Sequence, residues 1–147
     1  MDNKEIWIIF SEGTNFFYKY FMKKWFGHVT ILTHDNFNWM LVDPSYTEMT
    51  VSIISYKISD DVPRLFLNEN PNLKIIKLVK KDDFKCNPHL SIIKSFFPRV
   101  VSCISLVKYC VGLKGWSLTP YQLYCHLIKM KDNPSRFYEA HWEIEEV

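Results

Sequence analysis

The chain has no run approaching the ~20 consecutive apolar residues of a membrane span, so no transmembrane helix is expected. It has no excess of one charge. Eighteen basic residues face sixteen acidic ones, for a net charge of +2, too little to imply a nucleic-acid partner. No basic run exceeds a pair of lysines. The first residues, Met1-Asp2-Asn3-Lys4-Glu5, carry acids ahead of a short apolar stretch, and lack the basic start and long apolar core of a secretory leader. There is no internal repeat, low-complexity tract or interdomain linker. What is present is a chain of 147 residues, 48% hydrophobic and 16% aromatic, which fits one globular domain over residues 1–147.

The four cysteines, Cys86, Cys103, Cys110 and Cys125, match no zinc ribbon or CxxC spacing. Cys103 and Cys110 share a helix face but lie about 10 Å apart along its axis, beyond disulfide reach. All four read as free thiols in a reducing, cytoplasmic compartment. His126 adjoins Cys125, and adjacent helix positions do not converge. His89 and His141 are scattered. No metal or other cofactor is expected.

Ile6–Phe10 reads as a strand. Asn15–Phe26 has Phe17, Tyr20, Phe21 and Lys24 at helical spacing, with Lys19, Lys23 and Lys24 as snorkelling cations around a packed face. The clearest β signal follows. His28-Val29-Thr30-Ile31-Leu32 and Trp39-Met40-Leu41-Val42-Asp43 flank a turn-like stretch, and Pro44 ends the second strand. His34 falls in the turn region and is expected to be solvated. A third strand is expected over Met49–Tyr56, a short helix at Asp60–Phe66 with proline in its first turn, and a strand over Leu73–Val79. His89–Phe97 reads as helix or strand.

Ser102–Leu113 carries the strongest helical pattern, with Cys103, Leu106, Val107, Cys110 and Val111 at i, i+3, i+4, i+7 and i+8. Gly112 or Gly115 stops it. Thr119-Pro120 starts a further helix running to about Met130. Residues 131–147 read as a polar, acidic tail, within which Trp142 is expected to dock on the body or on a partner. The fold class is α+β: a mainly antiparallel sheet with packed helices.

Cys103 carries the chemistry. With Ser102 as N-cap it lies in the first helical turn, where unpaired N–H groups and the helix dipole favour a thiolate. Nucleophilic cysteine catalysis also needs an imidazole, a group that orients it, and donors facing the oxyanion. His28 opens a strand after Gly27, and hairpin registry places it opposite Asp43 or a neighbour, within about 5 Å at Cβ. The backbone N–H of Cys103 is the oxyanion donor. No glutamine stands near Cys103 in the sequence to supply a second.

These residues, Phe26-Gly27-His28-Val29 and Trp39-Met40-Leu41-Val42-Asp43-Pro44 early and Val101-Ser102-Cys103-Ile104-Ser105-Leu106-Val107-Lys108 late, resemble the circularly permuted branch of the papain-like cysteine peptidase superfamily, relatives of NlpC-type peptidases. There the histidine hairpin comes first and the cysteine helix last. The stretch after the cysteine looks like small phage-encoded proteins. The resemblance spans His28 to about Leu127. It implies Cys103 as nucleophile, His28 as base and Asp43 as orienting group, with a peptide, peptidoglycan or acyl substrate, and a phage's host cytoplasm or virion as location.

Two functions compete at this point. One is a cysteine hydrolase or acyltransferase acting on an amide or (thio)ester. The other is a catalytically inactive structural or interaction protein on the same scaffold, such as a phage virion component with a protein partner. In that case Cys103 is an ordinary buried thiol.

Overall fold

Trp7, Ile8, Ile9 and Phe10 are all buried, which makes β1 (Glu5–Ser11) a strand covered on both faces. An unbroken apolar run, rather than an alternating one, belongs at the centre of a sheet. The computed structural model describes residues 5–13, 22–35, 37–44, 49–81, 103–113, 116–134 and 142–147. Among them β1 is flanked by β2 (His28–His34) and β5 (Lys74–Lys80). Outward lie β3 (Trp39–Pro44) and β4 (Met49–Ile54) on one side and β6 (Trp142–Glu146) on the other. The order is β4-β3-β2-β1-β5-β6, and every pairing is antiparallel. With the three helices found among the described residues the architecture is α+β, as expected.

Alternation along the strands sorts the core into two layers. One face sends Ile8, Phe10, Val29, Ile31, Ile76, Leu78 and Ile144 against α2 (Cys103–Val111) and α3 (Pro120–Asp132). The other sends Trp7, Ile9, Leu32, Trp39 and Ile75 against Val62 of α1 (Val62–Glu69). No helix among the described residues is long and apolar enough to cross a membrane.

Local chemistry sets the helix ends. The Asp61 side chain caps α1 by accepting from the Arg64 N–H, with proline in the first turn. In α3, Thr119 and Gln122 form a reciprocal capping box. Helix α2 ends at Gly112, whose φ of 70° lets the Leu113 N–H return to the Lys108 carbonyl. That is the left-handed turn glycine takes most readily after a helix.

Several expectations change. The polar C-terminal stretch is not solvated throughout, because Trp142–Glu146 pairs with β5. Ile144 supplies the apolar anchor, and the Trp142 indole N–H donates to the Val111 carbonyl at 2.8 Å. Trp142 therefore docks on the body. His34 closes β2 and lies against the rings of Trp7 and Trp39, at 5.7 and 4.9 Å, instead of in solvent. Cys110 is exposed, and the buried stripe of α2 is Ile104, Val107 and Val111. The larger aliphatic Ile104 rotates the helix away from the face that Cys110 would share. Met22–Phe26 forms a turn, with the Phe26 N–H on the Lys23 carbonyl, and the rest of the helix expected at Asn15–Phe26 lies outside the described residues. Ser102, Cys86, His141 and the His89–Phe97 segment also lie outside them.

Candidate active site

Two glycines set where His28 begins its strand. The Gly27 N–H donates to the Ser11 carbonyl at 2.8 Å, and His28 is then paired with Ser11 across β1 and β2. A Cβ on Gly27 would lie 2.2 Å from the Gly13 nitrogen, so the backbones meet at a distance only glycine permits. At the far end of the hairpin the Asp35 carboxylate accepts from the Phe37 and Asn38 N–H groups, at 2.7 and 2.6 Å. That Asx turn fixes the register, Ile31 opposite Val42 through His34 opposite Trp39.

Continued toward the open end, this register sets Asp43 opposite Thr30, two residues from His28. His28 and Asp43 are thus diagonal neighbours on one face, not a directly opposed pair. A diagonal separation of about 7–8 Å at Cα suits two longer side chains reaching toward each other. They meet: His28 Nε2 lies 2.6 Å from Asp43 Oδ1. The His28 side chain is 29% exposed and that of Asp43 48%, so the bond is partly open to water.

Cys103 is the first residue of α2, and this helix lies over β2 and β3. Its side chain is half-buried and touches the core layer beneath the helix. It also forms a side-chain hydrogen bond with His28. Cys103 lies in the first turn described for this helix, where backbone N–H groups are the usual donors to an anion.

The electrostatics follow this geometry. The Cys103 hydrogen bond is the largest influence raising the His28 pKa, burial of the ring opposes it, and the Asp43 hydrogen bond and the charges of both partners add to it. The result lifts His28 from 6.5 to about 9, so the ring is protonated at neutral pH. A protonated ring carries a donor on each nitrogen, and the Nε2–H donates to the Asp43 carboxylate.

All three residues expected from the sequence therefore converge, from two strands and a helix far apart in the chain. The turn before His28 was not legible as part of the same region. Lys23, Lys24 and Trp25 form this turn, whereas the two lysines were expected to snorkel around a packed aromatic face. The only sequence signal was the crowding of cationic and aromatic residues directly ahead of Gly27-His28. No protein-family model, curated protein or solved structure matches this chain.

Proposed function

We propose that the protein is a cysteine hydrolase or acyltransferase acting on an amide or (thio)ester bond, built in the permuted papain-like order with the histidine hairpin first and the cysteine helix last. One observation carries the reading: a single imidazole bonded at once to a helix-N-terminal cysteine and to a carboxylate. The Cys103 thiolate attacks the substrate carbonyl carbon, and the electron pair moves to oxygen, which faces the Cys103 N–H. The tetrahedral intermediate collapses, the bond to the leaving group breaks, and His28 gives that group its proton. Water or an amine then attacks the acyl-enzyme while His28 takes the proton back. The acid or new amide leaves, and the thiolate–imidazolium pair is restored. Asp43 positions the ring and balances its charge.

The test is alkylation of Cys103 by iodoacetamide across pH, followed by mass spectrometry, in wild type and His28→Ala. At pH 6 a free thiol of pKa about 8.5 is under ~1% ionised and reacts slowly. Rapid labelling of Cys103 there, lost in His28→Ala, is the expected result. Labelling at the rate of free cysteine, unaltered by His28→Ala, defeats the proposal.

A second reading, an interaction protein on this scaffold such as a virion component, has one observation in its favour. Edge strand β4 exposes Met49, Val51 and Ile53 at alternate positions. An apolar strand edge is a ready surface for a partner. Under this reading Cys103→Ala leaves function intact and the protein purifies as an oligomer or with its partner.

A further inference from the structure

A cavity of about 220 Å³ is lined by Glu12, Gly13, Met22, Lys23, Lys24, Trp25 and Gly27. Gly27 is the residue before His28, so the cavity reaches the backbone where β2 begins. Its volume is below the ~300 Å³ at which pockets hold a whole small-molecule ligand. It suits one side chain of a longer molecule.

The walls are held in place. Phe26, buried among Phe10, Tyr121 and Tyr124, anchors one end of the turn, and the close Gly13–Gly27 contact anchors the other. Between these anchors Trp25 has a φ of 71°, a left-handed conformation that costs a non-glycine residue about 1–2 kcal/mol. Strain of this kind persists where surrounding structure imposes it, and it clusters at ligand clamps. The two ammonium groups are also placed. Lys23 Nζ sits 3.7 Å from the centre of the Tyr121 ring, and Lys24 Nζ 4.8 Å from that of Trp25. Neither lysine makes an ion pair among the described residues. Two cations on aromatic supports outweigh the one carboxylate, Glu12.

We infer that this cavity is a substrate subsite for a carboxylate-bearing side chain, which makes the substrate an acidic peptide or acyl-peptide. The inference rests on the thiol–imidazole reading of the neighbouring site. Lys23 and Lys24 receive the carboxylate, and Trp25 packs on the side chain's methylenes. No covalent step occurs in the cavity itself.

The test separates binding from chemistry. Cys103→Ala protein is titrated with N-acetyl-glutamyl-glycinamide and with its glutaminyl counterpart, reading the Trp25 indole N–H by NMR, assigned with Trp25→Phe. The glutamyl peptide is expected to bind about five- to tenfold tighter, the worth of two partly exposed charge contacts. That preference is expected to fall in Lys24→Gln and to vanish in the Lys23→Gln/Lys24→Gln double variant. Equal affinities, no movement of the Trp25 signal, or a preference that survives the double variant overturns the inference. Iodoacetamide labelling of wild-type Cys103 judges the thiol reading separately. Slow labelling removes the mechanism without changing the binding result, and a failed titration leaves a reactive thiol reactive.

Discussion

Removing Cys103 should change the acid–base behaviour of a residue 75 positions earlier in the chain. A rise of the His28 pKa from 6.5 to about 9 corresponds to about 3 kcal/mol of preference for the charged ring. The Cys103 hydrogen bond is the largest cause and the Asp43 hydrogen bond a smaller one, while burial acts in the opposite direction. Cys103→Ala therefore lowers the His28 midpoint more than Asp43→Asn does. The double variant keeps only the burial penalty, and its midpoint falls below the ordinary 6.5. The assay is NMR of the histidine ring Cε1–H signals against pH, with His28 assigned by His28→Gln. A wild-type midpoint near 6.5 refutes the reasoning, and so does a larger fall in Asp43→Asn than in Cys103→Ala.

The sign of the accompanying pH effects follows. The folded-state pKa is raised, so the His28 contribution to stability is complete below about pH 6.5 and is lost as pH rises through about 9. Part of the 3 kcal/mol is screened, because the Asp43 side chain is 48% exposed, and about 2 kcal/mol is a fair expectation. An enzyme that needs His28 protonated to release its leaving group shows the same alkaline limit, with activity falling above pH about 9.

Gly27→Ala drives a Cβ to 2.2 Å from the Gly13 nitrogen and 2.7 Å from its Cα, both backbone atoms, and urea unfolding should show a loss of about 3 kcal/mol or more. Gly13→Ala, whose Cβ meets Gly27 at 3.3 Å, should cost clearly less in the same assay. Thr119→Ala removes the capping box of α3 and should cost about 1 kcal/mol, a fall of roughly 3 °C in Tm by calorimetry. Ile76→Ala leaves a cavity beneath both α2 and α3 and should lower stability by about 3–4 kcal/mol in urea.

The sheet was legible wherever apolar residues and turn chemistry agreed. The β2–β3 hairpin could be read because its two β-prone runs flank Asp35, whose carboxylate organises the turn. The start of α3 could be read because a cap, a proline and a reciprocal glutamine stand in the right order. Other features depend on partners distant in sequence. Strand β6 is acidic on its outward positions, and it forms because Ile144 finds the core and Glu146 reaches Lys131 at 2.8 Å. The diagonal placement of Asp43 needed the register to within one residue, and helical spacing around Cys103 misplaced Cys110 because Ile104 competes for the buried face. The convergence of His28 and Cys103 was expected from chemistry. No periodicity in the sequence brings strand and helix together.

Departures from ordinary folding rules gather at this end of the sheet. Gly13 and Gly27 approach closer than any side chain permits, Trp25 holds a conformation suited to glycine, and His28 carries charge while partly removed from water. The close glycine contact and the left-handed Trp25 are poor ways to stabilise a sheet. A thiol that only filled space would be better served by apolar neighbours, since free cysteine behaves as a small hydrophobe. A partly exposed carboxylate behind an imidazole adds little net stability. The β1 core, by contrast, obeys patterning throughout, with Ile8 and Phe10 fully buried on one face and Trp7 and Ile9 buried on the other. These departures lie together near Cys103 and His28, a grouping that supports the proposed chemistry. The exposed apolar edge of β4 is a departure this account does not absorb, and so is the exposure of Phe37, Trp116 and Leu118. The β4 edge borders the site, because Thr50, between Met49 and Val51, pairs with Asp43 across β3 and β4, so a partner on this edge would sit beside the His28–Asp43 bond.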